Sequence, residues 1–166
     1  LPMDLYLVAR SRFIIGCDAG FSTGFAVAFG TPILVTNVAS PVASAFWPYE
    51  NSRILLQKAV ESETRRVLNL RERSHPRLST VFNASTFNDM GYRWESNTAQ
   101  EILDATVEMM DLVEQDSFDA PLTEEQEYFH RCRKEALASM WPLGGPYGDP
   151  KWSQQQDTMS RISASY

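Results

Sequence analysis

The sequence predicts an α/β fold in which a parallel sheet is flanked by helices, and three observations predict it. Two compact runs rich in β-branched and aromatic residues, at 12–16 and 33–36, have the composition of strands covered on both faces. Between them, the small and apolar residues from 21 to 29 suit a helix packed closely on the sheet, with Gly30 as its C-cap and Pro32 just beyond. Strand, glycine turn, short helix and strand in so little chain make a βαβ crossover, which is right-handed in nearly all known cases and implies parallel pairing with helices outside. Third, Thr98-Ala99-Gln100-Glu101 and Thr123-Glu124-Glu125-Gln126 both fit the capping-box pattern ahead of amphipathic runs. Those two helices supply the outer layers.

Element by element, Asp4 can cap a short first helix that carries Leu5, Val8 and Ala9 on one side. Residues 37–50, rich in Ser, Ala and Pro, read as a long surface loop, and loops of that length are usually functional or disordered. Ile54, Leu55 and Leu56 form a short strand, and residues 67–70 lead into a helical segment near 71–74. The span 75–95 shows no sustained period, so irregular structure with one helical turn is expected. Ile102, Ala105, Met109, Leu112 and Val113 line the inner face of the first capped helix. Tyr128 or Phe129, then Cys132, Ala136 and Met140, line that of the second. The methionines fill core space. A Pro/Gly-rich tail follows, so residues 1–140 are expected to form one lobe and 141–166 a tail that crosses its surface. No internal repeat is visible.

Bulk properties narrow the function classes. With 166 residues, 43% apolar and 22% charged, the chain has the size and composition to bury one core. Its net charge of -6 opposes nucleic-acid binding through the whole surface. The charge is unevenly spread, however. Arg53, Lys58, Arg65, Arg66, Arg71, Arg73 and Arg77 make the middle basic, whereas the stretch from Glu95 to Glu127 has many carboxylates and no Lys or Arg. Either these are solvated helix faces, or some of the cations meet an anionic substrate or a membrane surface. Cys17 and Cys132 are too few for a disulfide framework or a Cys-based zinc site, so no metal is expected and a reducing, cytoplasmic setting fits, including the inner face of the membrane. The opening residues Leu1-Pro2-Met3-Asp4 carry no basic n-region and no long apolar run, so neither a signal peptide nor a transmembrane helix is expected, and the chain reads as internally cut.

Chemistry concentrates where the first strand runs into the helix, over residues 14–24. Unpaired N–H groups and the positive end of the helix dipole make such a turn a seat for phosphate, and glycine lets an anion approach the backbone. In open α/β sheets, ligands bind outside the carboxyl ends of the strands, where this turn lies. The spacing is neither a dinucleotide fingerprint nor a Walker loop. A purely structural βα turn is the alternative. Ser22 sits in no nucleophile elbow and neither His75 nor His130 suggests a triad, which disfavours hydrolase chemistry.

The block from Ala9-Arg10-Ser11-Arg12-Phe13-Ile14-Ile15-Gly16 to Cys17-Asp18-Ala19-Gly20-Phe21-Ser22, followed by Ala26 to Pro32 and by Val35-Thr36-Asn37, resembles the carboxy-terminal donor lobe of bacterial surface-polysaccharide glycosyltransferases with the two-lobed, Rossmann-like GT-B fold. Leu68-Asn69-Leu70-Arg71-Glu72 and Glu95 to Ile102 look like later segments of that family. Related turns occur in heptosyltransferases, sialyltransferases and sugar-nucleotide epimerases. The resemblance implies a nucleotide-sugar donor whose pyrophosphate sits near Gly20, Phe21, Ser22 and Thr23, with Gly16, Ala19 and Asn37 in the same site. It implies Asp18 orienting the turn or bonding a sugar hydroxyl, Lys58 beside the donor, and Glu72 reaching the ribose. Asp18 as a helix cap, Lys58 as a solvated lysine and Glu72 as a helix-start carboxylate are the plainer roles. Ala19 departs from the serine common there, which removes a hydroxyl but leaves the backbone donors. No cofactor is implied beyond the donor. The partners implied are a glycan or other hydroxyl acceptor, a peripheral membrane surface, and an amino-terminal lobe carrying the catalytic base, without which this chain turns nothing over. A sugar-nucleotide epimerase and a degenerate, non-catalytic binding module are the alternatives.

Overall fold

A computed structural model describes residues 2–18, 20–41, 51–81, 83–140 and 161–162. Helix α1 (Pro2–Arg10) leads into strand β1 (Ile14–Cys17), helix α2 (Gly20–Phe29) and strand β2 (Ile33–Val38). Strands β3 (Ser52–Leu56) and β4 (Lys58–Glu61) follow, then three short helices, α3 (Leu70–Ser74), α4 (Pro76–Ser79) and α5 (Ala84–Asp89). Strand β5 (Tyr92–Glu95), the long helices α6 (Ala99–Gln115) and α7 (Glu124–Met140), and the two-residue β6 (Arg161–Ile162) complete the order.

The main sheet is parallel throughout, in the order β1-β2-β3-β6. Strands β2 and β3 are its spine because their side chains alternate between two covered faces. Ile33, Val35 and Val38 of β2 and Ile54 and Leu56 of β3 pack with Ala26 of α2 and Phe129 of α7. Leu34 and Leu55 point the other way, onto Ala105 and Met109 of α6. Full burial of each such aliphatic side chain contributes roughly 1.5–3 kcal/mol, so these strands hold the layers together. The expected α/β architecture is present, with helices on both faces. Of the two candidates for the inner stripe of α7, Phe129 is buried and Tyr128 is exposed.

Strand β1 departs from the expectation of a strand covered on both faces. Ile15 is 48% exposed and Cys17 is exposed, because β1 lies at the end of the strand order with β2 as its one neighbour among the described strands. Its aliphatic composition reflects the face turned to α2. The helix α2 ends as expected: Gly30 adopts φ +67°, its amide donates to the Val27 carbonyl at 3.2 Å, and the Thr31 amide donates to the Ala26 carbonyl at 2.9 Å. Together these bonds form a Schellman motif. Both capping boxes form, the first between Thr98 and Glu101 and the second between Thr123 and Gln126.

The span 75–95 is more ordered than its sequence suggests. Strands β4 and β5 pair antiparallel, and Ala59, Leu68 and Phe87 form a third core beside them. Phe87 stacks on Trp94 at 3.8 Å between ring centroids with 4° between the planes. Of the loop expected over 37–50, residues 37 and 38 continue β2, and 42–50 lie outside the described residues. The tail does too, apart from β6, which adds a short parallel strand beside β3. No helix among the described residues is long and apolar enough to cross a membrane.

The close approach of β1 to α2 is tested at Gly16. A β-carbon there would lie 2.6 Å from the Ser22 β-carbon and 2.9 Å from its Oγ, so the strand and helix start can meet only because residue 16 has no side chain. Gly16→Ala is expected to destabilise the protein by about 1–3 kcal/mol in urea denaturation. Adding Ser22→Gly should cost less than the two single changes summed, since it removes the colliding atoms.

Candidate functional site

The parallel pairing gathers most of the sequence-predicted residues at one edge. Cys17 is level with Thr36, and Val38 with Leu56, so Asp18 and Lys58 lie just beyond, and Asn37 lies within, the carboxyl ends of three adjacent strands. At about 4.8 Å per strand step this rim spans about 10 Å from β1 to β3. The amino-terminal end of α2 opens beside it. Gly20 is the first residue of that ten-residue helix, it is exposed with nothing within 4 Å of where a β-carbon would stand, and the first turn carries no acid.

The side chains along the rim are largely engaged with the fold. Ser22 Oγ donates to the Cys17 carbonyl at 3.0 Å, which fastens the start of α2 to the end of β1. Thr23 is buried. Ala19 and the side chain of Phe21 lie outside the described residues. Asp18 is exposed at its surface, yet the protein around it strips enough water from the carboxylate to raise its pKa above the usual 3.8. A partly dehydrated carboxylate is a ready acceptor for a hydroxyl.

Asn37 adopts φ +55°, a left-handed conformation that asparagine tolerates better than most residues. Its amide donates to Asn97 Oδ1 at 2.7 Å, the Asn97 amide donates to Asn37 Oδ1 at 2.8 Å, and Asn97 Nδ2 donates to the Leu56 carbonyl at 2.8 Å. Three bonds thus tie the ends of β2 and β3 to the residue before the cap of α6. Sequence reasoning passed over Asn97. Its signal was an asparagine next to a capping-box threonine, enough to mark a helix start but not to reveal a partner sixty residues back.

Lys58 Nζ is 2.5 Å from Glu101 Oε1, so this cation is paired along the rim. The bond from Lys58, followed by that from the Thr98 amide, holds the Glu101 carboxyl below its usual range. Glu72 stands apart, on α3. It completes a capping box with Asn69 and receives Arg66 Nη1 on both oxygens, at 2.9 and 3.0 Å. The plainer of its two expected roles is the one the geometry displays.

Much of the basic middle of the chain is answered by carboxylates. Arg53 is buried, 3.7 Å from Glu108 and over the ring of Phe118, and Arg65 reaches Glu95 at 4.0 Å. Arg66 joins Glu61 and Glu72, and Arg73 is buried against the Ala39 carbonyl and the face of Trp94. Beside α3 and α4 a cavity of about 330 Å³ opens to solvent. Arg66, Glu72, His75 and Arg77 form its polar lining. Leu68, Leu78, Met90 and Tyr92 complete it. No group of three or more His, Cys, Asp or Glu side chains suited to a metal ion gathers among the described residues.

This geometry defines an α/β protein whose parallel sheet is covered on both faces at β2 and β3, with the exposed Gly20 opening α2 at its carboxyl edge. Comparisons with protein-family models, with curated proteins and with solved structures return no match.

Two predictions follow from the rim. Asn97→Ala deletes two part-buried side-chain bonds, to the Asn37 amide and the Leu56 carbonyl, at about 0.5–1.5 kcal/mol each. A clear fall in melting temperature is expected, and Asn97→Asp should not restore it, because its second oxygen would face the Leu56 carbonyl as acceptor against acceptor. For Glu101, the folded pKa lies below the unfolded one, so its contribution is complete above the usual glutamate value of 4.5 and vanishes as pH falls through the folded value. Glu101→Gln should therefore lower stability at neutral pH and flatten its decline on acidification, as read by urea midpoints at a series of pH values.

Proposed function

We propose that this chain is the donor-binding lobe of a glycosyltransferase and that it seats the diphosphate of a nucleotide sugar at the amino-terminal end of α2. The observation that carries the reading is the exposed Gly20, which opens a ten-residue helix at the carboxyl end of β1 with clear space beside it and no acid in the first turn. Helix-terminal amides and the helix dipole favour a phosphate there. The likeness of residues 9–37 to a sugar-transferase donor lobe supplies the choice of ligand.

In such a transfer, the acceptor hydroxyl oxygen attacks the anomeric carbon. The bond from that carbon to the diphosphate oxygen breaks, its electron pair leaves with the nucleoside diphosphate, and the hydroxyl proton passes to a base. Backbone donors of α2 would stabilise the charge gathering on the leaving diphosphate, lowering the barrier because they are already in place. Asp18, with its dehydrated carboxylate, is suited to accept a bond from a sugar hydroxyl. The base belongs to a second, amino-terminal lobe, with the acceptor held between the two. This chain alone binds donor and does not turn it over.

One set of observations favours a second reading, a binding module without turnover. Ser22, Asn37 and Lys58, three of the polar side chains at this edge, are each engaged inside the fold.

The test is Gly20→Asp. A carboxylate in the first turn stabilises a helix by about 0.3–1 kcal/mol while repelling a phosphate from the same amides. Thermal stability should hold or rise slightly, and saturation-transfer signals from UDP-, GDP-, CMP- or ADP-sugars should disappear. If no nucleotide sugar binds the unaltered chain at millimolar concentration, or if the variant binds equally well, donor binding at α2 is wrong.

A further inference from the structure

The geometry points to a second ligand site, in the cavity beside α3 and α4, built for a monosaccharide-sized sugar acid whose carboxylate is received by Arg77. This inference is independent of donor binding at α2. Its basis is an imbalance of charge in the cavity wall. Arg66 is matched by Glu61 and Glu72, so its guanidinium is already spent on two carboxylates. Arg77 also lines the cavity, and among the described residues its guanidinium has no carboxylate within ion-pair distance. A planar, five-donor guanidinium without a carboxylate of its own fits one edge-on.

The rest of the lining selects among anions. Glu72 stands in the same wall and Glu61 is paired with Arg66, so the two guanidinium charges of the lining are balanced by two carboxylates and a second negative charge on a ligand gains little. The remaining polar groups suit hydroxyls. His75 Nδ1 accepts the Arg77 amide at 3.2 Å, which assigns the ring proton to Nε2 and leaves Nε2–H as a donor. Glu72 Oε1 takes one bond, from Arg66, and retains capacity to accept another. Tyr92, Leu78 and Met90 offer the apolar wall that the C–H face of a sugar ring needs. The volume of about 330 Å³ is at the small end for ligand sites, which matches one sugar ring and not a nucleotide.

The experiment titrates the whole chain with D-glucuronate, D-glucose and inorganic phosphate by ligand-observed NMR, and repeats it with Arg77→Ala, Arg77→Lys and Gly20→Asp. Arg77 is exposed, so Arg77→Ala should leave the melting temperature unchanged. Expected are saturable glucuronate binding, weaker binding of glucose and phosphate, and a loss of about tenfold or more for glucuronate in Arg77→Ala. Arg77→Lys should fall between, and Gly20→Asp should bind glucuronate as the unaltered chain does. Absent glucuronate binding, equal binding of glucose, a preference for phosphate, or indifference to Arg77→Ala would overturn the site. Loss of glucuronate binding in Gly20→Asp would place the anion at α2 and overturn it as well. Failure of nucleotide sugars to bind refutes only the donor reading.

Discussion

The reciprocal pair of Asn37 and Asn97 is the constraint from which the ordered half of the carboxyl rim follows. A strand that ended at Val38 without it would leave a left-handed asparagine and the Leu56 carbonyl to be satisfied by water. With it, the chain that has wandered through β4, the short helices and β5 is brought back to the sheet at a defined point. Thr98 then begins α6 one residue later, so the cap, the helix and its inward face of Ala105 and Met109 are delivered over Leu34 and Leu55 together. The Lys58–Glu101 pair is a product of the same placement, since it joins the first residue of β4 to the third residue of α6.

Charge is organised by the same return. The basic middle and the acidic block that follows it look like two separate solvated faces along the sequence, but Arg53, Lys58 and Arg65 find Glu108, Glu101 and Glu95 across the fold. The exposed members of this set contribute little each, roughly 0–1 kcal/mol. Arg53 is different because it is buried on the sheet, where it also donates to the Ser52 carbonyl and lies over the Phe118 ring.

What was legible in the sequence was what local physics decides. Gly30 with the residues around it specified a helix end, and two capping boxes specified two helix starts, because each signal lies within a few residues of its effect. The parallel sheet was legible through the strand, turn, helix and strand of β1, α2 and β2. Edge position was not, because Ile14 and Ile15 look alike whether or not another strand lies beside them. The β4–β5 pair was missed although Lys58-Ala59-Val60-Glu61 and Tyr92-Arg93-Trp94-Glu95 alternate, since four residues carry too short a period to stand out, and the partner lies some thirty residues away. The helix-terminus end of the candidate site was legible from Gly20 and the strand before it, and the engagement of Asn37 and Lys58 was not, because both partners come from beyond β5. The cavity lined by Arg77 was likewise invisible, since its walls come from three separate segments.

The two faces of the central sheet begin with contacts of different range. Ala26 joins Ile33 and Val35 through a crossover only a few residues long, so that contact forms from neighbouring chain. Met109 reaches Leu34 only after the intervening strands and helices have been laid down, and closing so long a loop carries an entropic cost before any contact compensates it. The first face waits as well, for Phe129 of α7, so neither is complete until the last helices dock. In the interval before α6 docks, Leu34 and Leu55 are an open apolar surface at which a nascent chain is most prone to associate wrongly.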